Sequence, residues 1–238
     1  MPDLREALNK VGIALDAEAV SRLNRYHEML LDWNTRMDLT SVTEQDMAAR
    51  HFVDSLLPLT QKDLLPSGIR LIDVGTGAGF PGLALAAARL DFSVTLLEAQ
   101  GKRCQFLNAV IDDLQLKNVK VIQDRAEVLG QHPEHREQYD RAVARAVAPL
   151  NVLCEYLLPF VKVGGYALCW KGPAAGEEAE DGTFAAEKLG GRLESFIEMP
   201  QQDTRHVLVP VFKIEKTLPQ YPRKNGIPAK RPLKSGKM

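Results

Sequence analysis

The sequence contains little cysteine and no long apolar run. Its 238 residues include three cysteines, which form no C-x-x-C pair, so the sequence favours a reducing compartment over a disulfide framework. No apolar run approaches the roughly 18 residues of a membrane-spanning helix. The first ten residues contain acids instead of the apolar segment of a secretory signal. The sequence therefore predicts a cytoplasmic protein without membrane contact.

Basic and acidic residues nearly balance over the whole chain, but the basic residues are concentrated near the C-terminus. The formal net charge is −1, so the whole-protein field does not attract nucleic acid. From residue 213 onward, eight basic residues face one acid, which gives a net charge of +7 and leaves −8 for residues 1–212. Prolines at 219, 222, 228 and 232 exclude a long helix there. We expect residues 218–238 to form a basic tail whose cations, with Tyr221 beside them, are available to phosphates and bases.

Residues 1–60 show helical periodicity and no strand pattern. Apolar and aromatic side chains recur at helical spacing after Asp16, a suitable N-cap, at Ala19, Leu23, Tyr26, Leu30 and Trp33. A second helix is predicted after Thr43, and on it His51 and Asp54 lie three residues apart on one face. We interpret residues 1–60 as an N-terminal helical extension, with His51 and Asp54 as a structural pair or a lid over a site.

Short apolar strands alternate with helices from Ile69 onward. The predicted strands include IRLIDV, FSVTLLE, VKVIQ, YDRAVA and GGYALCW, with RLESFIEMP and RHVLVPVFKIEK as a final pair. The alternation predicts an α/β domain over residues 61–217, with a mostly parallel seven-stranded sheet and helices on both faces. The final pair supplies an antiparallel member. We expect a short turn at residues 126–129 and a solvated, mobile acidic connection at residues 172–182.

A dense group of glycines follows the first predicted strand, in the stretch LIDVGTGAGFPGL. Gly75, Gly77, Gly79 and Gly82 permit positive φ angles and a close approach to the backbone. The last three match G-x-G-x-x-G, the dinucleotide fingerprint, and no Walker pattern is present. Three interpretations of this loop remain open: a turn that only packs a helix against a strand, a dinucleotide site, or an S-adenosylmethionine (SAM) site.

Two carboxylates favour SAM over a dinucleotide. Asp73 directly precedes the glycines, where it would repel a pyrophosphate and favour a cationic ammonium or sulfonium group. Glu98 ends the second strand sixteen residues after Gly82, whereas the dinucleotide pattern places its acid about 20 residues on. There, Glu98 can accept hydrogen bonds from both ribose hydroxyls, outside the carboxyl ends of the strands.

The sequence has no obvious general base or nucleophile for the reaction. The segment ARAVAPL after the fourth strand contains neither the Asn/Asp-Pro-Pro-aromatic run of amine methylation nor a nucleophilic cysteine. His132 and His135 lack partners for zinc and are interpreted as loop residues, so no metal site is predicted. A target with a free lone pair, such as guanine N7, needs no deprotonation, only in-line delivery of the methyl group.

Three basic residues follow predicted strand ends. Arg145 follows the fourth strand, where it could anchor the SAM carboxylate, a phosphate or the target base. Lys102 and Arg103 open the helix after Glu98, where cations oppose the helix dipole and either RNA phosphate or solvent compensates them. A small-molecule methyltransferase and a nicotinamide-dependent oxidoreductase remain as alternatives.

Seven sequence blocks together resemble the ribosomal RNA small subunit methyltransferase G family, also called glucose-inhibited division protein B. They are WNTRMDLTS, HFVDSLLPL, DVGTGAGFPGL, KRCQFL, DRAE, ARAVAPL and YPRKNGIPAKRPL, and they run nearly end to end. Asp38 stands where the family often has asparagine. The resemblance implies a class I, Rossmann-like SAM-dependent methyltransferase that methylates guanine N7 in 16S rRNA, free or in a small ribosomal subunit particle. We expect a monomer.

The residues and the resemblance together define candidate sites. The cofactor candidates are Gly75, Gly77, Gly79, Phe80, Glu98, Ala126, Glu127 and Arg145. The resemblance implies that Ala126 and Glu127 lie at the adenine. The RNA candidates are Lys102, Arg103, Arg223, Lys224, Lys230 and Arg231. No catalytic residue is required, and Arg145 is the candidate for positioning the reactants.

Overall fold

The computed structural model describes residues 4–145, 147–199 and 206–236. Ala146 lies outside these ranges, as do Pro200 and Arg205 at the ends of predicted strands and Lys237 of the basic tail. The N-terminal helices are α1 (Leu4–Lys10), α2 (Ala17–Asn34) and α3 (Glu44–Met47), followed by a π-helix (Ala48–Val53), α4 (Asp54–Leu56) and a 3-10 helix (Leu57–Thr60). Within the described ranges, no helix is both long and apolar enough to cross a membrane.

The remaining chain alternates strands and helices. The strands are β1 (Arg70–Val74), β2 (Ser93–Glu98), β3 (Val119–Gln123), β4 (Tyr139–Arg145), β5 (Val161–Lys171), β6 (Gly191–Leu193), β7 (Ile197–Glu198) and β8 (Val207–Lys213). The helices are α5 (Gly82–Ala88), α6 (Gly101–Asp113), α7 (Ala126–Leu129), α8 (Leu150–Leu157), α9 (Ala179–Lys188) and α10 (Ile227–Lys230). Residues 126–129, predicted as a turn, thus form a short helix.

The sheet confirms the predicted mixed α/β architecture. Its order is β3-β2-β1-β4-β5-β8-β6, with β7 also paired to β8. The first five strands are parallel, and β8 runs antiparallel to β5 and to its edge partners. Because β6 and β7 pair successively along β8, the eight strands of the described residues occupy seven positions, and the predicted sixth strand, RLESFIEMP, is interrupted at residues 194–196.

Successive strands are added on one side of β1 and then on its other side. This change of side determines where a ligand can bind. The chain moves outward from β1 through β2 to β3, then returns to place β4 on the other side of β1. The register pairs Val74 with Leu97 and Asp73 with Val143. The loops after β1, β2 and β4 therefore meet at one edge, at a topological switch point, where open α/β sheets bind ligands.

The N-terminal extension shares one hydrophobic core with the sheet. Leu23, Leu30 and Phe52 pack in the same buried cluster as Leu83 of α5 and Leu71 of β1. The opposite face of the sheet is covered by α8 and α9 in a second cluster. Helices therefore cover both faces, and residues 4–60 pack as part of the same unit as the sheet.

The acidic connection at residues 172–182, expected to be solvated and mobile, has helical structure. It forms a 3-10 helix (Pro173–Glu178) that leads into α9. A Cβ atom at Gly182 would lie 2.5 Å from Leu150 Cδ2, so this glycine lets α9 pack closely on α8. Glu178 accepts a hydrogen bond from the Leu150 N–H group and pairs with Lys171 at 2.8 Å. Close helix packing and these polar contacts fix the segment.

The C-terminal tail, predicted as a basic segment at residues 218–238, lies on the α/β domain. Side chains of the domain donate hydrogen bonds to tail carbonyl groups: Arg136 to Thr217 and Tyr221, each at 2.7 Å, and Asn151 to Leu233, at 2.7 Å. A proline-rich chain keeps all its carbonyl acceptors, so it can be held in this way without a long helix or a strand.

Arg223 and Glu155 form an ion pair between the tail and α8. Glu155 lies on α8 with only 1% of its side chain exposed. It accepts hydrogen bonds from the Arg223 N–H group at 2.8 Å, from Nε at 2.9 Å and from Nη2 at 2.6 Å. This pairing raises the pKa of the Arg223 guanidinium. The Arg223 side chain therefore joins the tail to α8.

We expect Arg223→Ala to lower the free energy of unfolding by about 3 kcal/mol, because it leaves the buried Glu155 carboxylate without its partner. Lys224, the next residue, is exposed and provides the matched control. Lys224→Ala is expected to change stability by less than about 0.5 kcal/mol. Urea unfolding of the full chain measures both values. Equal stability of the two variants would contradict the assigned role of the pair.

Candidate active site

The buried side chain of Asp73 holds the glycine loop after β1 through two hydrogen bonds. Asp73 Oδ2 accepts hydrogen bonds from the Thr76 hydroxyl at 2.6 Å and from the Gly82 N–H group at 2.7 Å. The N–H groups of Gly75 and Thr76 donate to the Leu97 carbonyl at 2.8 and 3.2 Å. These contacts tie the loop to the ends of both β1 and β2.

Asp73 lies beneath the loop and not at the cavity surface, and the expectation that it attracts a cationic group stays a prediction. It is completely buried, and it is absent from the lining of the cavities beside the loop. Burial raises the pKa of its carboxyl group to about 6. A Cβ atom at Gly82 would lie 2.5 Å from Asp73 Cβ. Gly82 is therefore required for the helix to approach Asp73, whose role is to hold the loop.

Gly79 allows the N-terminal helix α2 to pack against the loop and does not line the cavities. Its φ angle is +100°, and a Cβ atom there would lie 2.4 Å from the Tyr26 hydroxyl oxygen. Tyr26 donates a short hydrogen bond to the Ala78 carbonyl and stacks on Phe80 with ring centroids 5.2 Å apart. The loop is therefore fixed by α2 on one side and by Asp73 on the other.

Glu98 occupies the predicted position at the end of β2. Its Oε2 atom accepts a hydrogen bond from the Gly77 N–H group at 3.0 Å, and Oε1 accepts one from Gln100 at 2.8 Å. These two bonds orient the carboxylate beside the glycine loop. Each carboxylate oxygen has further acceptor capacity, so Glu98 can bind a diol while it holds Gly77.

Two adjoining cavities extend from Glu98. The first, of about 450 Å³, is lined by Thr40, His51, Gly75, Gly77, Phe80, Arg103 and Arg145 among others. The second, of about 260 Å³, is lined by Asp124, Ala126, Glu127, Tyr156 and Ala229 among others. Gly75, Glu98, Ala99, Arg125 and Val147 line both. Every cofactor candidate except Gly79 lines one or both cavities. The role of each candidate in binding the cofactor stays a prediction.

Arg145 is held by residues of the N-terminal helices. Its Nη1 atom lies 2.8 Å from Asp54 Oδ2, and Nη2 lies 3.1 Å from His51 Nδ1. Its guanidinium also lies over the Phe80 ring, 5.2 Å from the ring centroid. His51 and Asp54, predicted as a structural pair or a lid, therefore meet through Arg145.

His51 is a neutral side chain with both ring nitrogens engaged. Its ring stacks on Phe80 with centroids 4.5 Å apart, and Nε2 lies 2.7 Å from Thr40 Oγ1. Burial, and then the nearby charge of Arg145, lower the pKa of His51 to about 3. Sequence analysis missed Thr40, although it lies within the block WNTRMDLTS.

Asp54 also contacts His206, the residue directly before β8. Its Oδ1 atom lies 2.9 Å from His206 Nδ1, and its carbonyl group accepts a hydrogen bond from Trp170 Nε1 at 3.0 Å. His206 is 152 residues away along the chain, so no local sequence pattern indicates this contact.

A third cavity adjoins the first on the Arg145 side. It measures about 320 Å³ and is lined by Val42, Arg50, His51, Arg145, Trp170, Lys171, Gly172 and His206. His51 and Arg145 line both this cavity and the first one. Its cationic groups suit an anionic or electron-rich second reactant. In the described parts of the chain, no group of three or more His, Cys, Asp or Glu residues could hold a metal ion.

The remaining RNA candidates lie on two segments beside these cavities. Lys102 is exposed at the start of α6, whereas Arg103 lines the first cavity. Lys224, Lys230 and Arg231 are exposed on the tail. The guanidinium of Arg223 is bound to Glu155 through Nε and Nη2, and its role as an RNA contact stays a prediction.

Known proteins resemble this chain in sequence and in fold. Residues 19–208 match the family model described as rRNA small subunit methyltransferase G. The ribosomal RNA small subunit methyltransferase G of Alkaliphilus metalliredigens is 45% identical over 97% of this chain and 98% of its own length. The protein of the same name from Leuconostoc mesenteroides subsp. mesenteroides is 44% identical, with the same coverage of both chains.

A solved structure supports the predicted fold class. A point mutant of MtNAS in complex with S-adenosylmethionine has a TM-score of 0.55 and 16% identity, covering 89% of this chain and 83% of that chain. This likeness concerns the fold alone, which is the predicted class I, Rossmann-like architecture. The family model covers most of the chain, and the two relatives match it nearly end to end. The chain therefore belongs to the rRNA small subunit methyltransferase G family.

Proposed function

We propose that this protein transfers the methyl group of SAM to N7 of a guanine in 16S rRNA. The observation that carries the proposal is the pair of adjoining cavities, with the oriented Glu98 carboxylate where they meet. One cavity suits an amino-acid moiety beside a glycine loop, and the other suits an adenine. Family membership supports the same reaction.

Each part of SAM has candidate partners in this arrangement. Glu98 would accept hydrogen bonds from the ribose hydroxyls, while Ala126 and Glu127 line the cavity for the adenine. The backbone of Gly75 and Gly77 would approach the amino-acid moiety in the first cavity. Arg145, held by Asp54, would position the methionine carboxylate or the target base. SAM supplies the methyl group on a cationic sulfur.

The surroundings of the cavities fit a reaction without a general base. His51 has a pKa of about 3 and is engaged by Thr40 and Arg145. Asp54 is engaged by Arg145 and His206, and Asp73 is sealed beneath the loop. Guanine N7 has a lone pair that forms the new C–N bond while the C–S bond breaks, and the positive charge passes from sulfur to the base. In-line positioning is then the main requirement.

The exposed cations beside the cavities support an RNA substrate over a small molecule. Lys102, Lys224, Lys230 and Arg231 can neutralise phosphates around the entrance. This substrate places the reaction in the cytoplasm. Residues of one chain line all three cavities, so we propose that a monomer is active, on free 16S rRNA or on a small-subunit particle.

We expect Glu98→Ala to weaken SAM binding by about 2–4 kcal/mol, because two charge-assisted hydrogen bonds to the ribose are lost. Calorimetry measures the affinity, and the melting temperature reports on the fold. Glu187, which is exposed on α9, provides the control, and Glu187→Ala should bind SAM as the wild type does. Unchanged SAM affinity in Glu98→Ala would contradict this placement of the ribose.

We expect the rate of the chemical step to be constant between about pH 7 and 9, since no enzymic base must lose a proton. His51 stays neutral throughout, because its pKa is about 3, and Asp73, with a pKa of about 6, has already ionised. Single-turnover rates at saturating RNA and SAM measure this step. A tenfold rise per pH unit would indicate a deprotonated target atom instead of N7.

We expect the combined substitution of Lys224, Lys230 and Arg231 by Ala to weaken RNA binding. The slope of log affinity against log salt should shrink by about 2, because each lost phosphate contact contributes about 0.7 to 0.9. SAM affinity in the absence of RNA should remain. Lys62 and Lys117, which are exposed before β1 and β3, provide the control pair. A slope equal to that of the wild type would show that the tail cations do not contact RNA.

A further inference from the structure

The C-terminal tail forms part of the second cavity. Ala229, in the short helix α10, lines that cavity together with Ala126, Glu127 and Tyr156. It lies about 100 residues after α7 in the sequence, so α10 is a separate wall supplied by the end of the described chain. Under the proposed function, on which this inference rests, the wall faces the adenine of SAM.

The position of α10 depends on contacts with the domain. The Gly226 N–H group donates a hydrogen bond to Glu127 Oε1 at 2.9 Å, directly before α10 begins. Gly226 has a φ angle of +75°, a conformation that favours glycine. An isolated helix of four residues is not stable in water. A ligand that fills the cavity beside Ala229 therefore contacts a helix whose position is set by the domain.

The same short segment carries the exposed tail cations. Lys224 precedes α10, Lys230 is its last residue, and Arg231 follows it. All three side chains are exposed, whereas Arg223 is held by Glu155. Residues 224–231 therefore combine a cavity wall with a group of cations that can contact phosphates.

We propose that residues 224–231 form a shared wall, contacted by the cofactor at Ala229 and by rRNA phosphates at Lys224, Lys230 and Arg231, so that cofactor and rRNA bind cooperatively. Both ligands contact the same segment, so a position of α10 that favours one ligand also favours the other. Linkage requires that each ligand raise the affinity for the other by the same factor.

The first experiment tests the wall. Ala229→Trp places a large side chain in the cavity and is expected to lower the affinity for S-adenosylhomocysteine at least about tenfold. Asn225 is exposed on the same segment but does not line the cavity, so Asn225→Trp is the matched control and should bind as the wild type does. Calorimetry on the full chain measures both. Wild-type affinity in Ala229→Trp would overturn the assignment of α10 as a wall.

The second experiment tests the coupling. The affinity of the full chain for unmethylated 16S rRNA is measured with and without saturating S-adenosylhomocysteine, which transfers no methyl group and has no sulfonium charge. The wild type is expected to bind RNA about fivefold more tightly, or more, with this compound present. An RNA affinity that does not respond to S-adenosylhomocysteine would overturn the proposal.

Two variants locate the coupling. Substitution of Lys224, Lys230 and Arg231 by Ala should reduce the coupling factor to about one. Lys102→Ala, on α6, should weaken RNA binding but keep the wild-type coupling factor. Full coupling in the triple variant would overturn the role of residues 224–231. A wild-type protein that binds SAM and methylates rRNA without coupling contradicts only this inference, whereas one that binds neither SAM nor S-adenosylhomocysteine contradicts the proposed function itself.

Discussion

The buried carboxylate of Asp73 holds together the part of the structure on which the site depends. It accepts hydrogen bonds from Thr76 and Gly82, which bracket the glycine loop. Burial raises its pKa to about 6, which shows that its charge is costly in this environment. The two hydrogen bonds from the loop offset that cost only when the loop is folded. The loop conformation and the ionised Asp73 therefore stabilise each other before any ligand binds.

The N-terminal helices belong to the site as much as the sheet does. Tyr26 packs against Gly79 and Phe80 from one side of the loop, while Thr40 and Asp54 fix His51 and Arg145 on another side. The segment that carries His51 is a π-helix, a local form of helix that is frequent at functional sites. A cofactor would therefore enter a site in which Glu98, His51 and Arg145 already have hydrogen-bond partners, which lowers the cost of ordering on binding.

The parts of the structure that follow local sequence rules were predictable. Strand and helix alternation gave the sheet, and the position of Glu98 after β2 followed from the strand pattern. The contact of Asp54 with His206 was not predictable, because it joins segments 152 residues apart. Counting charges predicted a basic tail but could not find Glu155, 68 residues earlier, which binds Arg223. Asp73 was located correctly, but its neighbours Thr76 and Gly82 determine that it faces the loop.

The pairing of Glu155 with Arg223 also constrains how related sequences can diverge. Because Glu155 is buried, loss of either charge leaves the other uncompensated and costs several kcal/mol. A homologue can lack the ion pair only if both residues are substituted, or if its tail does not pack on α8. Residues 155 and 223 should therefore covary among homologues, whereas the exposed positions 224 and 230 are free to vary without a compensating change on α8.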